Sequence, residues 1–254
     1  MAFTISHAVL APILNRLSAG HLPIAALAIG CMAPDLYRLF TQQNYIQAHQ
    51  WSGIFSFSLW IGLAFCFVWY LLYRPVIYAV FGLNHKLQLQ SYLSVLKFSC
   101  SCIIAVLLGI ATHLIWDGLT HVDFRTFAFH EFLSQSIALF GQTYPVHRVL
   151  QIGTSAVALP IIVWMCWHYY RHFYQTALVR PRKIHFAIVT LFFSLLLGVL
   201  SVLDYVRYFD PQLWQTHTYY LVGRSINEFS QGFLSSMTMF CILFLFIDQR
   251  GYLD

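Results

Sequence analysis

Residues 102–121 read CIIAVLLGIATHLIWDGLTH. The first ten are the apolar interior of a membrane span, and the last ten carry His113, Asp117 and His121 four residues apart. Side chains four apart share one face of a helix, one turn above the other. The same segment is therefore expected to cross a bilayer and to gather imidazole and carboxylate at its end. These groups are costly there unless they are paired or functional. An imidazole and a carboxylate on one face suit a shared divalent metal, and equally a hydrogen-bonded pair without one.

The composition agrees with a membrane setting. Of 254 residues, 59% are hydrophobic and only 9% are charged, with mean hydropathy +0.66. Soluble domains carry about 25% charged residues. Aromatic residues at 18% suit two interfacial belts. Four further stretches have the roughly 20 residues that a span requires, so the spans are expected at about 51–73, 94–117, 148–170, 184–206 and 229–247. The net charge of +5 lies in short loops, and topology accounts for it without nucleic acid. The six cysteines sit in apolar surroundings with no CxxC pair, as small hydrophobes would. The first residues lack the basic and long apolar regions of a cleavable signal peptide.

The N-terminal 48 residues read differently. Two arms, 4–17 and 23–35, flank SAGHLP and are each too short to span, which predicts a helical hairpin in or against one leaflet. His7 lies thirteen residues before Gly20 and Asp35 fourteen after His21. Antiparallel arms thus bring His7 and Asp35 together at the open end. The fold expected is all-α: a polytopic bundle of about five transmembrane helices plus this hairpin. The 1–254 chain reads as one membrane domain, with the hairpin at 1–48, a core at 49–175 and two further helices at 176–254.

Charge bias sets an orientation. The 74–97 loop carries Arg74, Lys86 and Lys97, and 171–183 carries Arg171, Arg180, Arg182 and Lys183, which marks both as cytoplasmic. The 118–147 loop, with Asp123, Arg125 and Glu131, and the 207–228 loop, with Arg207, Asp210, Arg224 and Glu228, then face outward. His7, Asp35, His49, His113 and Asp117 come from four segments and can meet at that outer face. Each alone also fits a structural role: Asp35 as a helix cap, His49 as an interfacial anchor, Arg224–Glu228 as an i,i+4 pair. Together they form a mixed N/O set for a divalent metal, zinc first, with manganese or iron as alternatives. His121, Arg148 and Gln151 are additional candidates, Arg148 for substrate charge and Gln151 for orienting a ligand or water. No serine-hydrolase elbow, P-loop or dinucleotide motif occurs.

The stretches FTISHAVLAPIL (3–14), LPIAALAIGCMAPDL (22–36), ATHLIWDGLTH (111–121) and YPVHRVLQIGTS (144–155) follow one another in an order that resembles a bacterial polytopic membrane family, domain of unknown function 4184. The resemblance covers roughly the first two thirds of the chain. More distantly, His7, Pro34–Asp35, His49 and His113–Asp117 resemble the motifs of the inner-membrane metal-dependent hydrolases. Two departures stand out: Leu36–Tyr37 follow Asp35 where those enzymes have a second carboxylate, and AHQWSG (48–53) replaces a longer histidine element. His121 is placed to compensate. The leading expectation is a metal-dependent hydrolase of the bacterial inner membrane; a carboxylate not fully engaged by the metal, Asp35 or Asp117, would be the general base, and a membrane-level site suits a lipid or lipid-linked phosphate or ester as substrate. A scaffold or envelope-assembly protein with the same residues as a polar clamp is the first alternative. A transporter is the second, and it fits less well because the polar residues lie at span ends and no repeat is visible.

Overall fold

A computed structural model describes residues 3–41, 43–209 and 217–253. Asp210 therefore lies outside the described residues. The five expected spans are helices: α3 (Trp51–Phe81), α4 (Tyr92–Thr120), α5 (Val146–Phe173), α6 (Pro181–Val206) and α7 (Thr218–Gln249). All are long and apolar enough to cross a membrane, which makes this an integral membrane protein. Ahead of them stand a 3-10 segment (Thr4–Leu10) running into α1 (Ala11–Leu17), and α2 (Ile24–Leu36). α1 and α2 pack as the expected hairpin. Its turn uses left-handed Ala19 and Gly20, and the Asn15 side chain donates to the Leu22 carbonyl at 2.7 Å.

Three features differ from the sequence expectation. α3 does not end at Tyr73 but runs through Arg74–Pro75 to Phe81. Proline lacks the N–H of an α-helical bond, and a π-helical turn at Trp69–Tyr73 directly precedes it, so the helix changes its pairing there instead of stopping. Left-handed Gly82 then caps it. α7 begins at Thr218, about eleven residues early, and the charges Arg224 and Glu228 lie within it, paired along the helix at 3.9 Å. The 118–147 connection also holds a small antiparallel hairpin, β1 (Ser136–Leu139) and β2 (Gln142–Pro145), turned by Phe140 and Gly141, both with positive φ.

The chain forms two compact units, Met1–Cys66 with Lys86–Arg171 and Phe67–His85 with His172–Asp254. In the second, α6 and α7 pack closely: Gly198 admits Phe229, Gly232 admits Ser201, and Ser194 and Ser236 share a buried hydrogen bond at 3.0 Å. Lys183 bonds Asp248 at 2.8 Å.

The first unit is organised by the crossing of α2 and α4. A Cβ on Gly30 would lie 2.5 Å from the Val106 carbonyl oxygen, and one on Gly109 would lie 2.5 Å from that of Leu27. The two backbones touch, as small residues allow in membrane helices. Ala26, Leu27, Cys31, Ala105, Val106 and Ile110 are buried around this contact. Of the cysteines, Cys31, Cys66, Cys102 and Cys241 are buried, whereas Cys100 and Cys166 lie on exposed helix faces.

Candidate metal centre

The Gly30–Gly109 contact decides where His113 goes. One turn beyond Gly109, its ring meets the exposed carbonyl side of α2, and Nδ1 lies 2.8 Å from the Cys31 carbonyl oxygen. A carbonyl only accepts, so Nδ1 carries a proton, and Nε2 is the nitrogen left to meet a carboxylate or a cation. That nitrogen faces the Asp117 carboxylate, with Oδ2 at 3.4 Å. His113 and Asp117 are both fully buried.

His49 is held by a backbone carbonyl in the same way, on another element. The short helix Tyr45–Ala48 ends on it, and Nδ1 lies 3.1 Å from the Tyr45 carbonyl oxygen. Its Nε2 faces Asp35 Oδ1 at 3.2 Å. The loop holding it depends on Gly53, whose Cβ would collide with the Gln47 carbonyl, and on Ser58 Oγ donating to the Ala48 carbonyl at 2.8 Å. His7 comes from the 3-10 segment and packs its ring on His113, centroids 4.1 Å apart, with Nε2 3.6 Å from Asp117 Oδ1. Asp35 sits in the last turn of α2, not at a helix N-terminus where it would act as a cap.

These five side chains meet. The ligand atoms of His7, Asp35 and His113 lie within 4.8 Å of one another, and so do those of His49, His113 and Asp117. Three buried atoms in the group, His7 Nε2, His113 Nε2 and Asp117 Oδ1, have no hydrogen-bond partner. Burying such atoms unpaired is expensive. Their spacing is informative. Ligands about 2.1 Å from a tetrahedral zinc stand about 3.4 Å apart, and the imidazole–carboxylate distances here are 3.2, 3.4 and 3.6 Å. Both carboxylates also occupy the C-terminal turns of their helices, where the helix dipole disfavours an anion and favours a cation. The donor set, the orphaned atoms and the helix ends all fit a bound divalent cation.

The additional candidates fall out differently. His121 closes α4, and its Nδ1 contacts the Asp117 carbonyl at 3.1 Å, so the nitrogen nearest the cluster is a proton donor to backbone. Burial pushes its pKa down to about 4, leaving it neutral. Gln151 is buried and donates to the Thr120 carbonyl at 2.7 Å, tying α5 to the end of α4. One turn on, Ser155 hydrogen-bonds Ser6 at 3.1 Å and ties α5 to the segment of His7. Arg148, in the first turn of α5, is exposed, unlike the cluster.

Arg125 is the residue that sequence reasoning passed over. Its Nη1 donates to Asp117 Oδ2 at 3.0 Å, while Nε and Nη2 donate to Asp123 Oδ1 and Oδ2. Phe127 packs into the space left by Gly118 and folds the loop back, with the Phe127 N–H on the Gly118 carbonyl. The available signal was an Asp-x-Arg directly beyond a buried carboxylate.

Over residues 1–245 the chain matches the family described as Domain of unknown function (DUF4184), well past the two thirds that the motifs cover. The chain belongs to this family. No curated protein and no solved structure matches the DUF4184 chain. It is thus a membrane protein of a family of unknown function, with a buried His/Asp cluster whose geometry could hold a metal ion.

Proposed function

We propose that this DUF4184 protein is a membrane-embedded metal-dependent hydrolase acting on a lipid or lipid-linked phosphate or ester. The carrying observation is that His7 Nε2, His113 Nε2 and Asp117 Oδ1, three buried donor atoms of one His/Asp cluster, have no hydrogen-bond partner. His7, His113 and Asp117 would hold the ion, with His49 and Asp35 beside them. Zinc suits three imidazoles and carboxylate oxygen best, and manganese or iron also fit. A divalent ion there would supply Lewis acidity to polarise a phosphoryl or ester oxygen and acidify water.

The chain's own groups divide the remaining work. Arg125 already engages Asp117, which leaves Asp35, whose Oδ1 meets His49, as the general base that takes the proton of the attacking water. A surface depression of about 260 Å³, lined by Arg38, Asn44, Tyr45, Ile46 and Gln47, offers a way in. Tyr45 both lines it and packs on His49, ring centroids 4.2 Å apart, and Arg38 stands 4.8 Å over the Tyr45 ring. An anionic headgroup would find Arg38 or exposed Arg148. The positive charge of the loops at the other ends of the spans supports a site at the periplasmic face of a bacterial inner membrane.

Elemental mass spectrometry of the detergent-purified protein tests this reading. Near-stoichiometric zinc, manganese or iron in wild type, lost in both His113→Ala and Asp117→Asn, is expected and leads to a lipid phosphatase and esterase screen. A well-folded wild type, never exposed to chelator, that carries no ion sinks it. The Arg125–Asp117 contact favours a second reading for that case: a non-catalytic scaffold in which the cluster is a polar clamp.

A further inference from the structure

We infer that the cluster is built for one cation, not two, and that Arg125 holds Asp117 as a one-oxygen ligand in the place where a second cation would otherwise be needed. This rests on the metal reading above.

Two observations carry it. Among the described residues two triads have their ligand atoms within 4.8 Å of one another, His7–Asp35–His113 and His49–His113–Asp117, and they share His113. Its Nδ1 proton is committed to the Cys31 carbonyl, so His113 has a single nitrogen to give, Nε2. One imidazole nitrogen ligates one ion. Both triads therefore cannot be filled at once, and they describe one centre from two sides. The second observation is the state of Asp117. Its Oδ2 accepts from the Arg125 guanidinium at 3.0 Å, whereas Oδ1 is the buried atom without a partner. The carboxylate is divided: one oxygen is neutralised by the guanidinium and the other faces the histidines. In a two-ion site a bridging carboxylate gives one oxygen to each ion. Here the second oxygen faces a side-chain cation.

The loop is constructed for this delivery. Asp123 grips the guanidinium from behind through Nε and Nη2 and also accepts the Arg125 backbone N–H at 3.0 Å. Thr126 Oγ1 donates to the His121 carbonyl at 2.6 Å, which fixes the loop to the end of α4. Asp123, Arg125 and Asp117 thus form a relay of the kind that orients metal ligands from outside the coordination shell. Arg125 is a positioning residue, and its effect is expected on ion affinity.

The experiment titrates metal-stripped full-length protein in detergent with zinc and then manganese. It counts bound ions by elemental mass spectrometry and reads affinity against a chromophoric chelator. Wild type should saturate at one ion per chain. Arg125→Gln should weaken affinity by about 10–100-fold, with Arg125→Lys recovering part of the loss. Asp123→Asn, which leaves Arg125 in place, should weaken it less and serves if Arg125→Gln does not fold. A purely architectural Arg125 would lower the melting temperature of the metal-free protein and leave affinity unmoved. Two ions per wild-type chain, or unchanged affinity in the folded variants, overturns the inference while leaving the metal reading intact. A wild type that binds no ion overturns both.

Discussion

Asp117 is a carboxylate with no exposure to solvent, placed in the last turn of a helix and ringed by His7, His113, His121 and Arg125. Everything around it is arranged to keep a negative charge where the helix itself opposes one. Asp117→Asn preserves the shape and removes that charge, leaving the guanidinium short of a partner. Breaking a buried pair from one side costs roughly 3 kcal/mol, so the variant's melting temperature in detergent should fall well below that of wild type. Asp35 is expected to behave differently. Asp35→Asn should leave most of the bound ion and lower hydrolysis by about 10²–10⁴-fold, a split read by comparing metal content with turnover. At this scale the site was largely legible. His113 and Asp117 share a helix, so spacing alone aligned them, and the symmetry of the hairpin brought His7 to Asp35. Arg125 was not legible, because its approach depends on Phe127 filling the hollow at Gly118 across an irregular loop. Nor was the turning of His121 toward the backbone, which follows from which nitrogen meets a carbonyl.

The elements show where hydropathy reading succeeds and where it stops. Every span was visible as an apolar run, but its ends were not. Arg74–Pro75 looked like a terminus and is interior, since the π-helical turn before it accommodates the proline. The start of α7 was hidden by Arg224 and Glu228, which compensate one another within the helix. The crossing of α2 and α4 depends on two glycines that no periodicity singles out. A Cβ on Gly109 would press on backbone atoms of Leu27 and Cys31, 2.5 and 2.6 Å away, which cannot move aside as a side chain would. Gly109→Val is therefore expected to cost about 1–3 kcal/mol and to pull the Cys31 carbonyl off His113. Thermal unfolding and metal content measured on the same sample should drop together. If stability drops and the ion stays, the crossing does not set the site.

At the scale of the whole molecule, the hairpin and the spans of the first unit deliver a buried polar cluster to one end of α4. The expected orientation places Phe140, at the tip of the β1–β2 turn, outside the cell and His85 inside. Phe140→Cys should react with a membrane-impermeant maleimide on intact cells and His85→Cys only after lysis, each read against the background of the native thiols. Reversed labelling would turn the proposed site to the cytoplasm. The hairpin adds a temporal consequence. α1 and α2 leave the ribosome before α4, yet neither is long enough to cross a bilayer; α1 packs on α2, and the main partner of α2 is the Gly109 face of α4. During synthesis the segment bearing His7 and Asp35 must wait at the membrane surface until the second span has been inserted. A chain arrested before α4 would expose an apolar hairpin with nothing to close on, a natural substrate for quality-control proteases.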